Sequence, residues 1–407
     1  MTGSRRRRAP AALSRSRWGA VVGCALACGF AGVACTTPIR PRDPADAPAH
    51  AAGMLQIRWR VSLHEHQLFE PAPEECASGV LARGRVIVGS RAGNVVGIDT
   101  ALGHVDWAVP VSGGVDSEAR YDPDHDQVYV GADDGSFYAL DPQHGTTRWS
   151  YKGKGAIERG AAFGGTGVAS GLVYVATAAD RLFALDAATG KWRWQYERET
   201  PEGFTIHGYS GPRLSGSHVF AGFADGFLVS LAAGTGEVQW ARSLAAASDQ
   251  FVDVDATPAL FKLPGAPGEV LLTSSYSGGL YAVDARDGNT RWRLGTEGVG
   301  TVTPYNDRLY FAAPRQGLHA VDLEGHVVWR QGLTEAGDLT APIVVGRYLV
   351  FSGSRAGLFI VDRENGDLLE LFNPGQGICA APTIDFESHR LYVLSNGGTL
   401  YALDLGA

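Results

Sequence analysis

Apolar and polar residues alternate in short runs along most of the chain. Stretches such as Leu280-Tyr-Ala-Val-Asp284 and Tyr348-Leu-Val-Phe351 read as half-buried strands bounded by Gly, Asp or Asn. The runs recur as one phrase: an aliphatic or aromatic strand, Asp, a short turn with Gly, then Trp. It stands as VVGIDTALGHVDW (Val95–Trp107), FYALDPQHGTTRW (Phe137–Trp149), LFALDAATGKWRW (Leu182–Trp194) and LYAVDARDGNTRW (Leu280–Trp292). Counting further copies, the Asp position falls at 99, 141, 186, 232 (Ala here), 284, 322, 362 and 404. Asp bonding local backbone and Gly with positive φ make the turn; Trp opens the next strand as a large packing residue.

Upstream of each phrase stands a further strand pair, as in Arg308–Gly317 and Tyr348–Gly357. Four strands per unit of about 44 residues describe a propeller blade, and eight copies predict an all-β ring of eight four-stranded blades. No 3.6-residue period runs through the unit, which excludes a helical solenoid. The last copy stops at Ala407 before its Trp strand, while an orphan strand, LQIRWRVSL with Trp59, stands at the other end. That N-terminal strand is expected to complete the eighth blade and close the ring, removing two open sheet edges.

The 407 residues are 45% hydrophobic and 19% charged, enough for a large core and against wholesale disorder. The net charge of -8 conceals an asymmetry. Residues 1–34 hold six arginines and no acid, which leaves 29 basic against 43 acidic residues in the remainder. Such a surface repels phosphate backbones, so nucleic acid is excluded as a partner.

Arg5 to Arg8, Arg15 and Arg17 form a positive region, followed by an uncharged run from Trp18 to Ala34 that ends Gly32-Val33-Ala34-Cys35. The run is short and Gly-rich for a spanning helix, and small residues before a cysteine fit a cleaved export signal. It resembles the lipobox of bacterial lipoproteins, which implies that Cys35 is lipidated and becomes the new N-terminus. Gly32 departs from that pattern, where Leu is usual; Cys24 and Cys28 leave too short an apolar run. Thr36, standing where an Asp would favour inner-membrane retention, implies the outer membrane. Residues 36–53 are rich in Pro, Ala and Asp and read as an extended tether. The expected organisation is a signal over 1–34, a tether over 35–53 and the propeller over 54–407.

Cys76 and Cys379 fall at the same point of blades one and eight, neighbours in a closed ring. An exported protein permits a disulfide there; two separate buried thiols fit the same positions. Other chemistry is sparse. Asp122-Pro-Asp124-His-Asp126 imitates a calcium loop but lacks its turn Gly and distal Glu, and reads as a hairpin turn. His64-Glu65-His66 offers two imidazoles without a third ligand. Gly165 to Gly171 is followed by a strand rather than the helix a dinucleotide loop needs. There is no C-x-x-C-H and no G-x-S-x-G. No catalytic residue, metal or cofactor is expected. Most of the nine tryptophans hold one repeat position, which points to inter-blade packing rather than glycan binding.

The repeat resembles the PQQ-like (quinoprotein) propeller repeat, A-x-D-x-x-T-G-x-x-x-W, as in Ala184–Trp194. Quinoprotein dehydrogenases share it, but they have an adjacent cysteine pair and a calcium ligand set that this chain does not assemble. The overall plan resembles the BamB family of outer-membrane protein assembly factors. Asp253-Val-Asp255-Ala-Thr-Pro258 is similar to that family's D-V-D-T-T-P, and the loop from Phe204 to Pro212 to its L-x-L-R-G-E-S-A-P. The resemblance implies that these loops contact a POTRA domain of the BamA-type barrel assembly protein. Phe204 and Ile206 would supply apolar contact, and Asp253 and Asp255 would pair with basic groups. His207 stands where the family has Arg, and a neutral imidazole cannot form a guanidinium's bidentate pair. Asp ahead of Thr-Pro could equally serve turn chemistry. The expectation is a non-catalytic, lipid-anchored scaffold at the outer membrane, facing the periplasm. The alternative is a PQQ-like propeller binding another envelope protein or a glycan.

Overall fold

The computed structural model describes residues 53–63, 74–165, 167–199, 209–245, 251–263, 268–314 and 316–406. The signal, nearly all of the tether with Cys35, the His64–His66 motif and Phe204, Ile206 and His207 lie outside them.

The described strands form eight antiparallel sheets of four, the blades of one ring. Seven blades are consecutive meanders; blade one, for example, comprises Val80–Ala82, Arg85–Ser90, Asn94–Asp99 and Val105–Pro110. In the eighth, Thr383–Asp385, Arg390–Leu394 and Thr399–Leu405 are completed by Leu55–Ser62 from the other end of the chain. The pairing runs from Leu55 opposite Leu405 to Ser62 opposite Thr399. Closure by the Trp59 strand is therefore as expected.

Alternating strands were expected to be half-buried. The two central strands of a blade are instead buried on both faces, as Val270–Ser275 and Gly279–Asp284 are along their whole length. Each blade is covered by a neighbour on either side, so the core is a series of layers between blades. Blades four and five meet through Phe220, Leu228, Leu244, Val254, Leu271, Tyr281 and Val283. Half-burial belongs to the fourth, outer strand, where Trp194 is buried between exposed Arg193 and Gln195.

The Asp–Gly–Trp phrase fastens one blade to the next. The carboxylate of Asp186 accepts hydrogen bonds from Thr189 N (3.0 Å) and Arg193 Nη2 (2.6 Å), which shapes the turn. Gly190 has φ 68°, and a Cβ there would lie 2.5 Å from Cε3 of Trp149 in the preceding blade. The glycine thus serves both a left-handed backbone and a ring laid directly on it. Trp149 Nε1 completes the joint by donating to Ala187 O at 2.9 Å. The equivalent bond is made by Trp59 to Thr100, Trp194 to Ala233, Trp240 to Ala285, Trp292 to Leu323 and Trp329 to Arg363, at 2.9–3.1 Å. Trp107 packs on Gly97 and Gly145 without it. Blade seven has no Trp: Glu370 stands opposite Ile360, and its carboxylate accepts the Leu55 amide at 3.1 Å. A charge-assisted bond to the first residue of the closing strand replaces the indole at that seam.

Candidate functional site

Antiparallel order puts the connections between blades, and the hairpins between second and third strands, at one end of the ring. The Asp–Gly turns occupy the other. We call these the linker end and the turn end. At the linker end, the segments leading into the inner strands line a cavity of about 450 Å³ at the central channel. Its charged lining is Asp116 and Glu118 of blade two, Glu158 and Arg159 of blade three, and Asp255 of blade five.

The segments of blades three to five are tied together. Tyr209, 3% exposed, accepts the Glu158 amide on its hydroxyl at 2.8 Å, and its carbonyl accepts Arg159 Nε at 3.2 Å. Gly211 N donates to Thr257 Oγ1 at 3.0 Å. Val254 plugs against Gly222, where a Cβ would come within 2.3 Å of Val254 Cγ1, so only glycine admits it. Phe251 begins this stretch with φ 55°, a left-handed conformation costly for a bulky residue. The stretch is held in place by Tyr276 N donating to Asp253 O (3.0 Å) and Ser277 N to Phe251 O (2.9 Å).

The two aspartates of the D-V-D sequence have different surroundings. Asp253 is 1% exposed and belongs to the interior of the segment. Its carboxylate is far less accessible than that of Asp255. Asp255 lines the cavity, half-buried, and makes no ion pair among the described residues. Burial pushes its carboxyl up; the Arg159 charge opposes this and the Asp253 charge adds to it. Across the channel, burial raises Asp116 to about 6, despite its 2.6 Å ion pair with Arg91.

Cys76 and Cys379 sit on the rim of the same cavity, joined by an S–S bond of 2.01 Å that ties blade one to blade eight. With Glu74 they cluster tightly enough for a metal, but two sulfurs bonded to each other are not thiolate ligands. The Asp122–Asp126 run is a hairpin turn: Asp122 Oδ1 accepts Asp124 N at 3.0 Å and Oδ2 accepts Tyr129 Oη at 3.0 Å. Gly165 and Gly167 lead through a 3-10 turn into the strand Leu172–Thr177.

Blades joined by Trp on Gly around an acidic, tied-down mouth make this a β-propeller of the PQQ-like repeat class. A family model described as outer membrane protein assembly factor BamB matches residues 56–166, 158–324 and 260–406, and the chain belongs to that family. It is 25% identical to the outer membrane protein assembly factor BamB of Yersinia pestis, over 72% of this chain and 71% of that protein. The crystal structure of BamB from Moraxella catarrhalis superposes with a TM-score of 0.70 at 21% identity, covering 86% of this chain and 99% of that one. Quinohemoprotein alcohol dehydrogenase from Comamonas testosteroni gives 0.65 at 15% identity, covering 87% and 77%. Likeness at those identities shows a shared fold alone. The family is one of assembly factors, and the chain is not an enzyme.

Proposed function

We propose that the chain is a scaffold in outer-membrane β-barrel protein assembly, anchored by a lipid on Cys35 and facing the periplasm. It docks on a POTRA domain of the barrel assembly protein through the lead-in segments of blades four and five. The observation that carries this reading is Asp255: a carboxylate on the channel mouth, unpaired within the described residues and raised by burial. A basic side chain of the partner placed beside it relieves that burial and gains a desolvated pair. Asp116, Glu118 and Glu158 around the same mouth add a field that draws a basic surface in. Asp253 supports the segment from inside. Phe204, Ile206 and His207 precede blade four in the sequence, and the family resemblance assigns Phe204 and Ile206 apolar contact with the partner and His207 the position of the family's Arg.

Co-purification of the tagged chain with the barrel assembly protein, from gently solubilised membranes, tests the site. Asp255→Lys is expected to reduce recovery of the partner at least tenfold while the melting temperature is unchanged. Asp307→Lys, an exposed position at the turn end, serves as control and should leave it intact. Full recovery with a folded Asp255→Lys chain would contradict the docking site.

A further inference from the structure

A second recess lies at the starts of the inner strands and is unused by the docking reading. It has a volume of about 230 Å³, and its lining includes Val80, Arg120, Phe163, Pro212, Arg213 and Leu214 from the inner strands of blades one to four. Two guanidiniums therefore share one small hollow of mixed polar and apolar lining in a chain of net charge -8. Both arginines hold the same place, the first residue of the inner strands Arg120–Asp122 and Arg213–Ser215.

Each is positioned by its neighbours. Arg120 lies against Gly160, where a Cβ would come within 2.9 Å of both Arg120 Nε and Glu118 Oε2. Arg213 Nε donates to Pro258 O at 2.9 Å, which orients the planar fork and leaves its Nη groups without a partner among the described residues. Neither guanidinium is within ion-pair distance of a described carboxylate. Burial, and then the like charge of Arg120, press the Arg213 guanidinium below its usual range, while the Glu118 charge opposes them. Arginine does not shed its proton, so the site keeps two positive charges at close quarters with one nearby acid, Glu118, that forms no ion pair with them among the described residues. An oxyanion between them offsets both the desolvation and the repulsion, and a guanidinium fork matches its geometry.

We propose that this recess binds a small tetrahedral oxyanion of the phosphate class, free or borne on a lipid headgroup, held by Arg120 and Arg213. Glu118 sets the affinity by competing for the same guanidiniums. Apolar walls formed by Val80, Phe163 and Leu214 lower the local dielectric and strengthen the contact.

Calorimetric titration of inorganic phosphate into the detergent-solubilised full chain at low ionic strength is the test. Saturable one-site binding is expected, at least tenfold weaker in Arg120→Gln and in Arg213→Gln, and several-fold tighter in Glu118→Gln. Arg120 is exposed, so its variant keeps the fold and carries the test should Arg213→Gln not. Glycerophosphoglycerol, a phosphodiester headgroup without acyl chains, forms the second arm. Binding it with the same dependence on Arg120 assigns the headgroup; binding inorganic phosphate alone assigns a free oxyanion. No saturable binding of either, undiminished binding in a folded Arg120→Gln chain, or weaker binding in Glu118→Gln would overturn the proposal.

Discussion

Gly236 and Gly216 lie in the same blade, and both adopt left-handed backbone, φ 76° and 56°. A Cβ on Gly216 meets nothing within 4 Å, whereas one on Gly236 meets Trp194 at Cε3 (2.7 Å), Cδ2 (2.8 Å) and Cγ (3.2 Å). Alanine at either position costs about 1–2 kcal/mol for the backbone alone. Only Gly236→Ala must also lift the Trp194 indole, which is 6% exposed and donates to Ala233 O at 2.9 Å. Forcing a methyl under a packed ring adds about 1–3 kcal/mol, and the indole bond it threatens is worth about 1 kcal/mol. Gly216→Ala is thus expected to cost about 1–2 kcal/mol and Gly236→Ala about 3–6 kcal/mol. Urea unfolding followed by tryptophan fluorescence gives the comparison, and in a Trp194→Leu background the excess at Gly236 should vanish. Equal midpoints for the two alanine variants would refute the claim that this glycine exists to seat the tryptophan of the preceding blade.

Two further outcomes follow from the seams. Replacing both Cys76 and Cys379 by Ala frees a loop whose ends are 303 residues apart, for which chain entropy gives an upper cost of about 5–6 kcal/mol. The Leu55–Ser62 strand still closes the ring, so the variant should fold but melt lower than the oxidised chain, and the wild type should shift likewise on reduction; unchanged melting would sink the latch. His319 is 2% exposed, stacks on Phe311 at 5.0 Å and has no hydrogen-bond partner among the described residues on either ring nitrogen. Burial, reinforced by the Arg330 charge, lowers it to about 4. Its folded pKa lies below its unfolded one, so the unfolded chain takes up the proton first as pH falls through 6.5 toward 4. Stability should drop across that window by up to about 3 kcal/mol, less in His319→Phe, as read from urea midpoints; identical pH slopes would count against it.

Blade number and closure were legible because the Asp, Gly and Trp of the phrase recur at nearly constant spacing, and because Trp59 stood apart from any phrase of its own. Burial on both faces of the central strands was not, since alternation is the same whether one face or two are covered. Nor was the second role of the turn glycine, because nothing local says that a ring from the preceding blade lies on it. The signal for Glu370 was the missing Trp of the seventh copy, yet only the fold shows that it grips Leu55. In the D-V-D segment the two aspartates look alike along the chain. The irregular backbone after Phe251 turns one inward and one to the channel. Arg120 and Arg213 were invisible as a pair, because ring geometry rather than spacing brings blades two and four to one hollow.

The central claim is that this propeller serves the barrel assembly machine, and one measurement bears on it most directly. Native membranes carrying a C-terminally tagged chain are solubilised gently, and the captured partners are identified by mass spectrometry, with Asp255→Lys run alongside. The account expects a BamA-type barrel protein as the principal partner of the wild type and its loss in the variant. Abundant tagged chain with no such protein would contradict the assembly role and leave the fold without that function.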